Sequence, residues 1–335
     1  MSAIGDVARL AGVSKSTASR ALSGSGYVAA ATRQRVLDAA AELGYVLSTS
    51  AASLVTGRTR AVGVVVPRIN RWFFGAVLEG VEAALGEAEH DLVLYRIGSE
   101  ATRRTRVFEY FLSRKRVDAV ITIGVALSAA EIASLRAIGG PVVGISGELD
   151  GVATLSIDDH AAGRLITEHL LSLGHRRIVH LGDADDEQQG FRVHERRRDG
   201  VLEALREAGI DTTDAVHPTP YSVPDGYRSG LAVLADPRRR PTAIVAGCDE
   251  VAFGALVAAR QLGIRVPSEL SVIGIDGHQD AAMFGLTSLE QDPESQGRRA
   301  VELVLAALDS GIEPEVRHWE SPVRFTVRTS TTAPA

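Results

Sequence analysis

The chain has 335 residues, 45% of them hydrophobic and 23% charged, with 36 Lys and Arg against 42 Asp and Glu. That length suits two or three domains with real cores, and the composition excludes a disordered chain. The single cysteine, Cys248, excludes an intrachain disulfide framework and a multi-cysteine zinc site.

No apolar run approaches the ~18 residues of a membrane span. Residues 1–10 lack the basic and apolar blocks of a secretion signal, so the sequence predicts a soluble, cytoplasmic protein without a metal or cofactor. Ile4, Val7, Ala8 and Ala11 share one helical face, which predicts a first helix over 4–10. Gly12 follows, where a tight turn favours a residue without a Cβ. Ser14 is a natural N-cap for a second helix over 15–22, which the run Ser23-Gly24-Ser25-Gly26 stops. A third helix is predicted over 31–43, ended by Gly44. Ala29 cannot supply the side-chain cap expected near its start, an omission that costs on the order of 1 kcal/mol. Residues 46–60 form a small, polar linker, too short to be stable as an isolated helix.

From residue 61 the pattern changes. Strands are predicted at 61–67, 91–96, 119–123 and 141–145, then at 178–181, 243–246 and 271–275. Helices are predicted over 74–88, 161–173, 195–208 and 250–262, and a last strand-like segment covers 324–328. Such alternation argues for parallel sheets covered on both faces, and its two series predict two α/β lobes.

Charge divides unevenly. Residues 1–60 carry seven basic and three acidic side chains, a net +4, and the remainder a net −10. A small basic head on an acidic body suits a nucleic-acid module joined to something that does not bind DNA. Chance would give the same imbalance in a short segment, so the helices decide. Two helices joined by a Gly-containing turn make a helix-turn-helix. Ala8 is small where the helices cross, and Val13, Ala18 and either Ala21 or Leu22 face inward, which leaves Lys15, Ser16, Thr17, Ser19 and Arg20 outward on the second helix. Lys15 and Arg20 can donate to guanine O6 and N7 in a major groove, while Ser14, Thr17 and Ser19 suit phosphate contacts. A solvated face on an ordinary three-helix cap is the plainer alternative. In open α/β sheets, ligands bind beyond the carboxyl ends of the strands, where Arg68, Asp183, Asp249 and Asp276 fall. Any one of those acids could be a helix cap; together they predict a polar cleft between the lobes.

The run Ile4-Gly5-Asp6-Val7-Ala8-Arg9-Leu10-Ala11-Gly12-Val13-Ser14-Lys15-Ser16-Thr17-Ala18-Ser19-Arg20-Ala21-Leu22 strongly resembles the head of the LacI/GalR family of transcriptional regulators. Residues 33–45 are similar to the family's third helix and Ser53-Leu54-Val55-Thr56-Gly57 to its hinge. Residues 62–67, 173–178 and 272–276 are similar to signatures of its body. The resemblance implies a small all-α helix-turn-helix head over 1–45 and a hinge linker over 46–60. The α/β body over 61–330 would be a two-lobed, periplasmic-binding-protein-like domain with parallel sheets. It also implies a repressor that binds near-palindromic, double-stranded operator DNA as a homodimer. A small-molecule effector in the inter-lobe cleft, a sugar or sugar derivative, would switch it.

By position, Lys15, Ser16 and Arg20 would read bases. Ser14, Thr17, Ser19 and Arg33 would meet the backbone, and Leu54 would wedge into the minor groove. Arg197 and Asp276 would hold effector hydroxyls, Phe73 and Phe74 would wall the site, and Asp158, Asp249 and Gln291 would add polar contacts. The chain departs from the family pattern at Ala18, Leu47-Ser48 and Ala52, and in the cleft at Arg71-Trp72, Phe191, Val193, Cys248 and Gly277. The cleft changes point to a modified sugar or a less polar effector. Residues 329–335 carry no leucine heptad, which predicts a dimer rather than a coiled-coil tetramer.

Two other classes compete for the same body. A solute-binding protein of a sugar transport system would need an export signal in place of the basic head. An enzyme could use Asp249, Asp276, His278 and Arg197 for acid–base work, but no nucleophile, zinc or phosphate-cradling motif accompanies them.

Overall fold

A computed structural model describes residues 4–23, 26–45, 57–98, 101–111, 114, 116–137, 139–146, 149–183 and 192–335. The chain divides into two compact units, residues 1–61 with 116–118, and residues 62–115 with 119–335. The linker segment 46–56, with Leu54, lies outside the described residues, as does Phe191.

The first unit is built on α1 (Ile4–Leu10), α2 (Lys15–Ser23) and α3 (Ala30–Glu42). Small side chains let these short helices close on one another: Val7, Ala8, Ala11, Ala18, Ala21, Val36, Ala39 and Ala40 are buried together. Gly12 makes the turn at φ +66°, where a Cβ would be strained. Ser14 Oγ accepts the Thr17 amide at 3.1 Å, satisfying one of the donors that the start of α2 leaves open. No side chain caps α3 at Ala29, as the sequence predicts.

The second unit contains two six-stranded sheets. The first runs β11 (His318–Glu320), β5 (Ala153–Ser156), β4 (Val142–Ile145), β3 (Ala119–Ile123), β1 (Ala61–Val66), β2 (Asp91–Arg96). The second runs β12 (Val323–Thr326), β10 (Thr287–Gln291), β9 (Ser271–Asp276), β8 (Ala243–Ala246), β6 (Ile178–Asp183), β7 (Val216–Thr219). Ladders β1–β3, β3–β4, β4–β5, β5–β11, β6–β7, β6–β8, β8–β9 and β9–β10 are parallel. The pairing of β10 with β12 is antiparallel, so the second sheet is mixed rather than wholly parallel.

The covering helices are α4 (Trp72–Glu87), α5 (Ala101–Arg106, continued as a π turn over Val107–Phe111), α6 (Ala129–Arg136), α7 (Asp159–Ser172), α8 (Val193–Glu207), α9 (Val223–Leu234), α10 (Asp249–Gln261) and α11 (Pro293–Ser310). Although α11 follows β10, its Ala300, Val301 and Val304 join the core of the first lobe with Val77, Val81 and Ile121. The chain therefore crosses between lobes at 156–159, at 291–293 and again at 320–323. Glycines let the helices approach closely. A Cβ at Gly163 on α7 would collide with the backbone carbonyl of Arg197 on α8, and one at Gly80 on α4 with that of Glu294 on α11.

Candidate functional site

On α2, Lys15, Ser16 and Arg20 are exposed and Thr17 and Ser19 half-buried, while Ala18 and Ala21 face the core. Lys15 packs its chain over Gly5, and Arg20 Nε donates to the Ser16 carbonyl at 3.2 Å. Ser14 Oγ lies 2.9 Å from both Ser16 Oγ and Thr17 Oγ1. Arg33 is half-buried on α3. Sequence reasoning passed over Tyr27, which precedes α3 and is 91% exposed. So exposed an aromatic ring is not part of the head's core, which makes it a further candidate for the binding face.

In the body, Arg197 on α8 is 4% exposed, a burial that charge permits only with strong partners. It finds them. Nε donates to Asp159 Oδ1 at 2.9 Å, and Nη1 donates to the Gly247 carbonyl at 2.6 Å and to Asp276 Oδ1 at 3.3 Å. Asp276 Oδ1 also accepts Gln291 Nε2 at 2.8 Å, and Gln291 Oε1 accepts Gln296 Nε2 at 3.1 Å. The result is one buried polar chain from α7 to α11. Burial pushes the carboxyls of Asp159 and Asp276 upward, and the Arg197 charge opposes that shift. Burial would lower the Arg197 pKa, but the two carboxylates outweigh it and hold the guanidinium charged.

Asp276 is the last residue of β9 and sits at φ +123°. Such a conformation costs a side-chain-bearing residue about 1–3 kcal/mol, and strain of this kind gathers at functional sites.

The remaining predicted residues fall into different positions. Asp158 does not reach Arg197; its Oδ1 accepts the His160 and Ala161 amides and caps α7, so the neighbouring Asp159 makes the arginine contact. Asp249 is 0% exposed, with its carboxylate taken up by Ser288 Oγ at 2.8 and 2.9 Å and by the His278 amide at 2.7 Å. It braces the loop after β9. Phe73 and Phe74 pack edge-on at 5.7 Å and lean on the first lobe's core. Cys248 is buried at the start of α10, and burial pushes its thiol up.

Tyr221, like Tyr27 and Asp159, is not among the residues the sequence singles out. Its ring is half-buried against the His194 ring at 3.9 Å, and its buried hydroxyl lies beside Gly247 without a hydrogen-bond partner among the described residues. A buried hydroxyl without a partner is costly, which makes Tyr221 a candidate member of the site. Its sequence setting, between Pro220 and Ser222, gives no periodicity to follow.

Two cavities lie along the polar chain. One, of about 710 Å³, is lined by Ser146, Asp158, Asp159, Arg196 and Glu320; the other, of about 760 Å³, by Trp72, Glu79, Gln291 and Glu294. Among the described residues, no group of three or more His, Cys, Asp or Glu side chains is placed to hold a metal ion. No helix among them is long and apolar enough to cross a membrane.

A helix-turn-helix unit joined to a two-lobed body defines a class of bacterial DNA-binding regulator, and comparison with known proteins agrees. Residues 3–48 match the lacI family of bacterial regulatory proteins, and residues 167–331 match the periplasmic binding protein-like domain. The chain is 30% identical to the HTH-type transcriptional repressor PurR of Vibrio vulnificus, over 98% of this chain and 99% of that one. It is 28% identical to the transcriptional regulator CelR in its cellobiose complex, with a TM-score of 0.70 over 98% of this chain and 100% of that one. The Lac repressor dimer bound to operator and the anti-inducer ONPF shares the fold, with a TM-score of 0.85, 24% identity and 99% of each chain covered. The chain belongs to the lacI family of transcriptional regulators.

Proposed function

We propose that this regulator is a repressor that binds near-palindromic operator DNA as a homodimer and is switched by a small carbohydrate or carbohydrate derivative held at Arg197 and Asp276. In this reading residues 1–45 bind DNA, 46–60 form the hinge, and 61–330 bind the effector and the second copy. The protein works in the cytoplasm, and its cleft binds a ligand without turning it over. The observation that carries the reading is the exposed Lys15, Ser16 and Arg20 face on α2, whose opposite face is spent on packing.

Two further features support it. A planar guanidinium fixed beside a carboxylate suits a hydroxylated ring, and cellobiose is the ligand in the related CelR complex. Val257, Met283 and Phe284 are 44%, 77% and 41% exposed, which suits an isologous contact with a second copy.

Selection of bound sequences from a random DNA pool, at moderate salt because the phosphate contribution is salt-dependent, tests the DNA half. The expected result is an enriched palindrome whose half-sites have the spacing of a dimer. Failure to enrich any sequence at low or moderate salt would contradict the proposal.

A further inference from the structure

Arg71 and Trp72, where α4 begins in the first lobe, reach across to the second. The Trp72 ring lies 4.8 Å from the His278 ring, centroid to centroid, and Arg71 Nη1 is 3.8 Å from Glu250 Oε1. Both partners are firmly held. The His278 amide donates to Asp249 Oδ2 at 2.7 Å, its Nδ1 accepts the Asp280 amide at 3.0 Å, and Phe253 packs edge-on against it at 5.0 Å. Glu250 stands in the first turn of α10, where a negative charge is favoured. Phe253 in turn stacks on Phe284 at 4.5 Å, so a line of rings leads from the first lobe to the exposed apolar face.

None of these side chains belongs to the Arg197–Asp276 chain, yet their contact brings the lobes together while Arg197 and Asp276 are 4% and 8% exposed. We propose that Arg71 and Trp72 form a latch that closes on Glu250 and His278 and keeps the lobes together over the buried polar chain in the absence of ligand. A ring pair with a part-buried ion pair favours the closed arrangement by roughly tenfold in population or more. That the latch governs access of an effector rests on the function proposed above; the latch itself does not.

The lobe separation can be read directly in the full-length protein. Cys248 is buried, so spin labels go to Ala133→Cys in the first lobe and Arg228→Cys in the second, with excess unlabelled chain present. Without ligand or DNA, pulsed dipolar spectroscopy is expected to give one narrow distance distribution. Trp72→Ala and His278→Ala should each broaden it and shift it to longer distance, and the double variant should add little further, as expected of two members of one contact. Trp72→Phe, which keeps a ring for stacking, should preserve the narrow distribution and shows whether the alanine effects reflect lost stacking or lost folding.

Unchanged distances in both alanine variants, fully additive shifts, or a Trp72→Phe chain as open as Trp72→Ala would each overturn the latch. Because no ligand is present, such a failure leaves the effector proposal standing. Loss of the effector proposal would likewise leave these distances unaltered.

Discussion

The two units carry their candidate functional side chains in opposite ways. On α2 they stand in solvent and are steadied by neighbours within one turn: Ser14 with Thr17, and Arg20 on the Ser16 carbonyl. In the body they are withdrawn from solvent and satisfied by partners far along the chain, with Arg197 bonded to residues 38, 50 and 79 positions away. A surface that meets a large, charged partner needs little burial to orient it. A small ligand must be gripped inside, so the site proposed for it has to be folded before the ligand arrives. The first arrangement can lose a side chain at a cost of at most about 1 kcal/mol to the fold; the second loses several.

Removing the body's central cation should therefore produce the largest effect. Arg197→Ala leaves Asp159 and Asp276 buried without their counter-charge, and breaking such a network from one side costs about 3–5 kcal/mol. Urea unfolding of the full chain would measure it. A loss below 1 kcal/mol would mean that the network contributes nothing to the fold.

The next effect is a pH dependence. Burial pushes the pKa of His180 down to about 4, with the Val245 carbonyl opposing and Arg197 adding to the shift. In the unfolded chain the imidazole takes a proton below about 6.5, so between these values the unfolded state binds more protons. Stability is then complete above about 6.5 and falls by about 1.4 kcal/mol per unit as pH drops toward about 4. His194, lowered to about 3 by burial, acts in the same direction. Unfolding curves from pH 7 to 5 should be flatter by that amount in His180→Gln; parallel slopes in the two chains would refute the assignment.

In the head the effects appear in binding instead. Arg20→Ala should leave the unfolding free energy within about 0.5 kcal/mol of the parent. It should remove about 1–3 kcal/mol of discrimination between the selected operator and random DNA. Arg33→Ala should weaken binding to both DNAs alike, which paired binding titrations can separate. Ser14→Ala, the smallest change, should cost about 1 kcal/mol of head stability through the lost α2 cap, seen as a lower thermal midpoint.

The same contrast explains what was legible beforehand. α1 and α2 follow from spacing and capping, and the buried strands at Ala119–Ile123 and Ala243–Ala246 have the predicted bounds because unbroken apolar runs admit few alternatives; the largely exposed Asp91–Arg96 also has its predicted bounds, its apolar centre being flanked by charged residues. The sequence reading did not identify β7, which contains Pro218, the three-residue β11, or α11, whose interior Gly297 exists to approach α4. These elements answer to tertiary packing rather than to local preference. In the candidate site the structure brings Arg197, Asp276 and Gln291 together as the sequence suggests, but the choice between Asp158 and Asp159 turns on which carboxylate caps α7, and Tyr221 is placed only by the approach of Gly247. The contact of Trp72 with His278 joins residues whose partnership no periodicity encodes.

The central claim is that ligand held in the body alters DNA binding by the head. Its most direct test is the dissociation constant of the selected operator for the wild type and for Arg197→Lys, with and without saturating cellobiose, glucose, ribose and their phosphorylated counterparts. At least one of these sugars should shift the wild-type constant by about fivefold or more, the range of ordinary allosteric coupling, and leave Arg197→Lys unmoved. Identical operator affinity under every ligand, or an equal shift in both chains, would contradict the account.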